Sequence, residues 1–293
     1  MENKNIQYPD SELVLSGENT VYHLGVTPDD VAKTILLVGD QGRVGMISSH
    51  FDTISHQSQH REFLVHTGTY QGKEISAIST GIGTDNIDIV VNELDALFNI
   101  DLIERKDKVT TTKLNLIRIG TCGILQEHIP VNSFILSKYA LGLDNVARFY
   151  DIPFSAEELQ LEKQMRHHLQ LPNTLHPYCI SASETLFSAL SNEETFAGIT
   201  ATASGFYGPQ GRSLRIPLST HNMNDHLSSF QSFDGSKVVN FEMETSALLS
   251  LGKALGHESL TICLGIANRQ RKEFSSDYQS HMGRLIKYVL DTI

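Results

Sequence analysis

The chain has few cysteines, a shortage of positive charge and no long apolar run, and each of these excludes a class of protein. Its three cysteines, Cys122, Cys179 and Cys263, lack metal-ligand spacing, which is typical of a reducing cytoplasm rather than of a disulfide framework. The net charge of −11 excludes a general nucleic-acid coat, so any bound anion needs a local arginine cluster. No segment is apolar enough for a signal peptide or a membrane span. We therefore expect a cytoplasmic protein that binds neither nucleic acid nor membrane.

The composition is that of a globular protein. Hydrophobic residues make up 40% of the 293 residues, and a chain of this length buries roughly 75% of its unfolded surface. There is no internal repeat, polar tract or linker. The sequence predicts a single domain over residues 1–293.

Apolar runs alternate with helical patterns along the chain. A strand at Thr34–Asp40 leads into a short helix, a hairpin spans Glu62–Thr80, and a helix with one apolar face runs from Ile87 to Phe98. The segment 114–123, "LNLIRIGTCG", is interpreted as a strand that enters a glycine turn, and the polar segment 104–113 as an exposed loop. Further helices are predicted in 155–171 and 278–290. This alternation predicts an α/β domain with a largely buried sheet.

Two arginines lie in turns that precede or follow strands. In "VGDQGR" the amides near Gly39 could face an anion with Arg43 as counter-charge, although an ordinary turn with a solvated arginine is favoured from this motif alone. Arg61 in "HREF" lies just ahead of a strand, which is common for arginine and by itself indicates no function. His56 and His60 could share one helix face, but no third ligand is suitably spaced, so a surface pair is favoured and no metal site is predicted.

Arg118 lies inside an apolar strand, between Ile117 and Ile119. A charge in such a place is usually paired or functional, and a structural pair with a carboxylate is as consistent with the sequence as a ligand site around Thr121. "GIGTDN" lacks the third glycine of a dinucleotide fingerprint, and no Walker lysine is present. Neither common nucleotide motif is therefore predicted.

"FEMETSA" places two carboxylates in an apolar segment. On an extended chain Glu242 and Glu244 would project to one face with Met243 on the other. The alternative is that both favour the start of a helix, where negative charge is stabilised, and local physics favours that alternative. Gly256 is predicted to end the helix.

In combination these motifs resemble the nucleoside phosphorylase family, specifically its uridine phosphorylase branch. The resemblance covers nearly the whole chain in order, through "YHLGVTPDDVA", "VGDQGRV", "SHQSQHREF", "STGIG", "RIGTCG", "GLDN", "FYGPQGR", "NFEMETSALLSLG" and "IANR". It implies a mixed, partly barrel-like sheet flanked by helices. It also implies that phosphate attacks the anomeric carbon of a nucleoside and releases ribose 1-phosphate with inverted configuration, with no cofactor besides phosphate as co-substrate.

The resemblance assigns roles residue by residue. The implied phosphate site comprises Gly39, Arg43, Arg118 and Thr121, with Arg61 from a neighbouring subunit. The implied ribose site comprises Glu242, Met243 and Glu244, with His23 from the neighbour. The implied base site comprises Gln210, Arg212, Cys122, Gly123 and Arg269. Catalysis is expected to depend on Arg118, Arg212 and Glu244, and Arg118→Ala to abolish phosphorolysis without unfolding the chain.

The sequence also departs from the family pattern. Asn268 stands in the loop where purine-specific relatives commonly carry an aspartate, which favours a pyrimidine, whereas Cys122 leaves room for a purine nucleoside. "GIGTDN" leaves open whether a monovalent cation binds beside Glu62, and no role is predicted for 104–113.

The alternatives are a purine nucleoside phosphorylase, a nucleosidase that uses water and a non-catalytic nucleoside-binding protein. A homodimer or a trimer of dimers is expected, and uridine, deoxyuridine and thymidine are not distinguished.

Overall fold

A computed structural model describes residues 7–17, 19–171, 175–220 and 222–293. The stretch before Gln7, part of the segment in which no signal peptide is predicted, lies outside the described residues. The strands are β1 Leu15–Gly17, β2 Thr20–Val21, β3 Thr34–Val38, β4 Thr53–His60, β5 Phe63–Tyr70, β6 Lys73–Ser79, β7 Ile100–Asp101, β8 Lys106–Asp107, β9 Asn115–Ile124, β10 Phe134–Gly142, β11 Tyr178–Ser181, β12 Thr195–Thr202, β13 Val238–Glu242, β14 Glu258–Asn268 and β15 Glu273–Phe274. The helices are α1 Gln41–Ser48, α2 Thr84–Asn99, α3 Ala156–Leu169, α4 Glu184–Leu190, α5 Met223–Ser229, α6 Thr245–Leu255 and α7 Tyr278–Thr292.

One mixed sheet of eleven strands organises the described chain. Its order is β15-β14-β10-β12-β13-β9-β3-β6-β5-β4, with β11 paired to β10. An additional parallel pairing between β14 and β9 closes β14, β10, β12, β13 and β9 into a ring. The prediction of a mixed, partly barrel-like sheet flanked by helices is confirmed.

Both faces of the sheet are covered, which explains the uninterrupted apolar run in β3. Ile35 and Leu37 pack into a cluster with α2 and α6, whereas Leu36 and Val38 pack into a second cluster with α1, α4 and α7. A strand buried on both faces needs apolar residues at every position rather than at every second one. The same arrangement makes any charged side chain within these strands costly unless it has a partner.

The predicted glycine turn after Arg118 is wrong, because β9 continues as a strand through Gly123 to Ile124. Gly120 serves a close approach instead. A Cβ atom there would overlap the Nη1 atom of Arg118 and lie 2.8 Å from the Sγ atom of Cys263. The glycine therefore gives the arginine side chain room to fold over its own strand.

His56 and His60 lie in a strand, so a shared helix face is also wrong. β4 pairs antiparallel with β5, and this pairing overrides the weak local preference of a polar segment. His56 Nδ1 lies 2.9 Å from Asp30 Oδ1, and His60 Nδ1 lies 2.8 Å from the carbonyl oxygen of His23. Each imidazole thus has its own partner at the sheet edge.

The segment 104–113 is only partly the exposed loop that was predicted. Lys106–Asp107 forms a short antiparallel pair with Ile100–Asp101, and Lys108 Nζ donates to the carbonyl oxygen of Phe98 at 3.0 Å. Because Lys108 bonds the last carbonyls of α2, the segment is fastened to that helix end.

The helix ends agree with the sequence signals. Ser155 and Glu158 form a reciprocal cap at the start of α3, and Gly256 ends α6 with φ of +81°, a conformation that favours glycine. Across the described ranges, none of the helices combines the length and the apolar character that crossing a bilayer requires.

Candidate active site

A cavity of about 500 Å³ opens where several strands of the sheet end. Its wall includes Gly39 and Asp40 after β3, Ile82 after β6 and Glu244 after β13. β9 contributes residues along its second half, from Arg118 to Gly123. The carboxyl ends of strands are the usual ligand position in α/β sheets, so topology alone brings together segments that are far apart in the sequence.

One end of the cavity holds two arginines, of which Arg118 is buried and Arg43 is partly buried. Arg118 is only 4% exposed, and Arg43, in the first turn of α1, donates from Nη1 to the carbonyl oxygen of Ile119 at 3.3 Å. Burial lowers the pKa of Arg43, and the positive charge of Arg118 lowers it further. Two neighbouring cations that have lost part of their hydration repel each other, so each is stabilised by negative charge close by.

The Gly39 turn shapes this arginine end. Asp40 caps α1 by accepting the backbone N–H of Gly42 at 3.0 Å. A Cβ atom at Gly39 would lie 3.3 Å from the carbonyl oxygen of Gly81, so the turn after β3 and the turn after β6 approach closely. Thr121, on β9, completes the set of predicted phosphate residues from one chain that line the cavity.

Both predicted carboxylates meet Arg118. Glu242 Oε2 lies 3.3 Å from Arg118 Nη1, and Glu244 accepts from Arg118 Nη2. Burial strongly opposes the charge of Arg118, but Glu244 and Glu242 hold the pKa of Arg118 above its ordinary value. The structural-pair interpretation of Arg118 is therefore correct, and it coexists with a place in the cavity wall.

The two glutamates differ in their other partners. Glu242 accepts the backbone N–H groups of Glu244 at 2.9 Å and of Thr245 at 3.0 Å, so it also stabilises the start of α6, as the alternative interpretation required. Glu244 Oε1 accepts the backbone N–H of Gly83 at 2.8 Å. Burial raises the pKa of Glu242, Arg118 opposes this, and Glu244 adds to it.

The opposite end is built by the loop that follows β12. Arg212 Nη1 donates to Gln210 Oε1 at 2.7 Å and to the carbonyl oxygen of Phe206 at 2.6 Å, and its guanidinium carbon lies 3.8 Å from the centre of the Phe206 ring. Gly211 permits the tight turn with φ of +69°. Burial and the positive charge of Arg269 lower the pKa of Arg212 to about 10.

Arg269 lies beside this end without lining the cavity itself. A Cβ atom at Gly123 would be 3.8 Å from its side chain, so the missing side chain of Gly123 leaves Arg269 close to the wall. Its Nη1 atom is buried and has no hydrogen-bond partner within the described ranges. A buried donor of this kind is costly unless a ligand or water reaches it.

Met243 and Cys122 also line the cavity. Cys122 is buried among apolar residues next to Cys263, and burial raises the pKa of the Cys122 thiol well above its ordinary value. A thiol in that environment stays protonated and offers an apolar surface with a weak donor.

Arg61 and His23 are not brought to this cavity by their own chain. Arg61 is exposed, with φ of +54°, and donates to the hydroxyl of Tyr22 at 3.1 Å. His23 Nδ1 lies 2.6 Å from Glu93 Oε1. Both residues belong to one surface cluster with Tyr22 and His60.

Several residues of the site carry no signal in the sequence. Ile82, Phe206 and Phe274 form an apolar rim, and they are 67%, 51% and 67% exposed. Thr202 binds Glu242 from the neighbouring strand, yet it is one of several small residues in "AGITATA". Within the described ranges, no group of three or more His, Cys, Asp or Glu side chains could hold a metal ion.

Comparison with known proteins gives consistent matches. A family model described as the phosphorylase superfamily matches residues 33–292. Uridine phosphorylase of Thermococcus kodakarensis is 32% identical over 260 residues, which are 88% of this chain and 80% of that protein. A DeoD-type purine nucleoside phosphorylase of Alkaliphilus metalliredigens is 27% identical and covers 82% of this chain and 84% of its own length.

Among solved structures, a nucleoside phosphorylase of Trypanosoma brucei, described as showing uridine phosphorylase activity, superposes with a TM-score of 0.88. It is 30% identical and covers 96% of this chain and 99% of its own.

Proposed function

This chain belongs to the phosphorylase superfamily, and from that premise we propose that it catalyses the phosphorolysis of uridine. Phosphate and uridine would give uracil and ribose 1-phosphate. The observation that carries the proposal is that a single cavity joins a pair of neighbouring arginines, Arg43 and the buried Arg118, to the Gln210–Arg212 fork. Arg118 and Gly123 are five residues apart on β9, about 16 Å of extended chain, which leaves room for phosphate, sugar and base.

Phosphate would occupy the arginine end. Arg43 and Arg118 would each give it charge-assisted hydrogen bonds worth about 1.5–3 kcal/mol, with Thr121 and the backbone at Gly39 as further donors. These contacts would aim one phosphate oxygen at the anomeric carbon of the sugar, which lowers the entropic cost of the reaction. The carbon–nitrogen bond breaks on the opposite side, so the configuration inverts.

The sugar would be held by Glu244 and Met243. Glu244 accepts two hydrogen bonds, from the backbone of Gly83 and from Arg118, and a carboxylate has about four acceptor positions. It can therefore also accept from sugar hydroxyls, while Met243 packs on the ring. The family resemblance also assigns Glu242 to the sugar, but Glu242 already accepts hydrogen bonds from Thr202, Glu244 and Thr245.

The base would lie between Gln210, Arg212 and Arg269, with Cys122 and Gly123 as the wall. An amide offers both a donor and an acceptor and a guanidinium offers two parallel donors, which suits the O2, N3 and O4 edge of uracil. As the bond breaks, negative charge develops on the departing base. Arg212 would stabilise that charge more in the transition state than in the bound nucleoside, which accelerates the reaction.

Asn268 supports a pyrimidine rather than a purine. Its Nδ2 donates to the carbonyl oxygens of Gln126 at 3.0 Å and Ile129 at 2.9 Å. Its Oδ1 accepts the backbone N–H groups of Gln270 at 3.1 Å and Arg271 at 3.0 Å. With both ends of the amide occupied, the side chain has nothing left with which to protonate or bind a purine ring.

We further propose that a second copy of the chain completes the site with Arg61 and His23, in a homodimer or a trimer of dimers in the cytoplasm, with no cofactor besides phosphate. Mixed dimers made from Arg61→Ala and Arg43→Ala subunits test this. If Arg61 acts across the interface, a random mixture should recover about a quarter of the wild-type activity, since half of the dimers are mixed and each has one intact site. No recovery would mean that Arg61 serves its own subunit or neither.

The deciding experiment is a panel of uridine, deoxyuridine, thymidine and inosine, each incubated with and without phosphate while free base and ribose 1-phosphate are quantified. We expect uridine to be cleaved only when phosphate is present. Cleavage of inosine but not uridine would overturn the base assignment. Cleavage that does not need phosphate would indicate a nucleosidase, and tight binding without cleavage a non-catalytic protein.

A further inference from the structure

The carboxylate of Glu242 has no acceptor position left for a sugar hydroxyl. Oε1 accepts the hydroxyl of Thr202 at 2.6 Å and the backbone N–H of Thr245 at 3.1 Å. Oε2 accepts from the backbone of Glu244 at 2.9 Å and of Thr245 at 3.0 Å, and it also faces Arg118 Nη1 at 3.3 Å. About four acceptor positions are available on a carboxylate, so Glu242 is saturated, whereas Glu244 is not.

Thr202 is itself fixed in one orientation. It is fully buried, and its oxygen accepts the backbone N–H of Ser246 at 3.0 Å, which directs its own hydrogen at Glu242. Ser246 in turn donates to Asp144 at 2.5 Å, and Asp144 accepts the hydroxyl of Tyr178 at 2.9 Å. A continuous hydrogen-bonded chain therefore runs from the packed interior to Arg118.

Taking the proposed phosphate site as given, we propose that Thr202 and Glu242 are positioning residues for Arg118 and that Glu242 does not bind the sugar. Glu242 holds the Nη1 side of the guanidinium in place. The Nη2 side, bound to Glu244, is the side whose partner exchanges when phosphate and sugar arrive. Arg118 Nε is buried without a hydrogen-bond partner among the described residues, and it remains a donor for phosphate.

The charge of Glu242 depends on this arrangement. The groups around it are Arg118 and Cys122 on β9, Glu244, Cys263 on β14 and, beyond Arg118, Arg43 on α1. Burial raises the pKa of Glu242, and the hydrogen bond from Thr202 is one of the contacts that lower it. Without that bond, Glu242 takes up a proton at higher pH and no longer holds Arg118 by charge.

β12 offers a matched control two residues earlier. Thr200 lies opposite Asn240 in the same register in which Thr202 lies opposite Glu242, and it is equally buried. Its hydroxyl donates to Asn240 Oδ1 at 2.9 Å and lies 2.6 Å from Ser137 Oγ. Thr200→Val thus removes a comparable buried hydroxyl from the same strand without touching Glu242.

The test compares Thr202→Val, Thr202→Ser and Thr200→Val. For Thr202→Val we expect the KM for phosphate to rise about tenfold, as loss of one hydrogen bond to a charged group predicts, and the acidic limb of kcat/KM for phosphate to move to higher pH. Thr202→Ser keeps the hydroxyl, so its KM for phosphate and the position of its acidic limb should stay close to wild type. Thr200→Val should lose a similar amount of thermal stability but keep the wild-type pH profile.

An unshifted acidic limb in Thr202→Val, or the same shift in Thr200→Val, would overturn the proposal. If Thr202→Val does not fold, Glu242→Gln, which keeps the shape but removes the charge, should weaken binding of inorganic phosphate measured by calorimetry without nucleoside. Unchanged phosphate affinity in Glu242→Gln would overturn it as well. Because this assay needs no turnover, an error in the proposed nucleoside reaction would leave the phosphate result unaffected and would be recognised separately.

Discussion

The two ends of the cavity are constructed in opposite ways. The arginine end is built on strands and helix starts: Arg118, Glu242 and Glu244 are all under 5% exposed and bind one another. The base end depends on the loop after β12, where Leu214 and Ile216 are 77% and 82% exposed. At the arginine end, the side chains are therefore fixed by the buried contacts among them. At the base end, Arg212 is held mainly by contacts within its own loop.

Because the two ends differ in this way, substitutions in them should affect the stability of the fold and the recognition of the base to different extents. A buried charge cluster cannot lose a member without unbalancing the others, so the arginine end resists variation. A loop side chain bound to loop carbonyls can change with little effect on the core. Substitutions at the arginine end should therefore damage folding and activity together, whereas substitutions in the loop after β12 should damage activity alone.

The largest effect is expected from Arg118→Ala. Loss of the guanidinium removes a phosphate contact and leaves two buried carboxylates without their counter-charge, so phosphorolysis should fall at least about 1000-fold and the free energy of unfolding by about 3–5 kcal/mol. Urea unfolding and steady-state kinetics measure the two losses. This differs from the expectation from the sequence alone, which was that the fold would be unaffected.

The pH dependence of the unfolding free energy of Arg118→Ala tests whether the stability loss is electrostatic. Without Arg118, the largest contribution that opposes the effect of burial on the pKa of Glu242 is lost, so the pKa rises further and the folded state binds a proton more tightly than the unfolded state does. Stability should then be nearest to wild type at low pH and decline as pH rises through the folded-state pKa. A stability loss that is constant from pH 5 to pH 8 would contradict an electrostatic origin.

Arg212→Ala should have the next largest effect, and on activity only. Removing the group that stabilises the departing uracil should lower kcat about 100- to 1000-fold, while the unfolding midpoint stays close to wild type because the side chain bonds to Phe206 and Gln210 of its own loop. Arg215→Ala, on the same exposed loop, is the control and should remain active. An equal loss in both variants would point to loop charge rather than to contact with the base.

The same contrast explains which features could be predicted from the sequence. Elements with a strong local pattern, such as β3, α2 and α7, follow directly from apolar spacing. Of the two interpretations of the glutamates, a shared strand face and a helix start, each describes part of the structure: both side chains reach Arg118, only Glu242 lies in the strand, and Glu242 also caps α6. What local physics could not provide was their partner, because β9 and β13 are neighbours in the sheet but about 120 residues apart in the chain.

Other features were ambiguous for identifiable reasons. Glycine permits either a turn or a close approach between atoms. Gly120 was predicted to form a turn, but it lies within β9 and allows the Arg118 side chain to approach closely. The strand at His56 and His60 has too few apolar residues to be recognised and exists because β5 pairs with it. Thr202 resembles any small strand residue, and only its register opposite Glu242 gives it a role.

Asn268→Asp tests the packed part of the base end. In place of an amide that donates to two carbonyl oxygens, the variant puts a carboxylate against them, so we expect a loss of about 2–3 kcal/mol in unfolding free energy and no gain of inosine cleavage. Differential scanning calorimetry and the nucleoside panel check both. Because a carboxylate that faces two carbonyl oxygens is disfavoured, its pKa should rise on folding, and the stability loss should shrink as the pH falls. Efficient inosine cleavage by this variant would show that Asn268 can turn toward the base.

Phe206→Leu should have the smallest effect. Its ring stacks under the Arg212 guanidinium at 3.8 Å but is half exposed, and a cation–π contact of this kind contributes about 0.5–1 kcal/mol. Since the backbone carbonyl of Phe206 still accepts from Arg212 in the variant, kcat/KM for uridine should fall only about two- to fivefold, with no change in the KM for phosphate. A much larger loss would mean that the ring itself contacts the base, and a parallel loss in phosphate affinity would mean that the two ends of the cavity are coupled rather than independent.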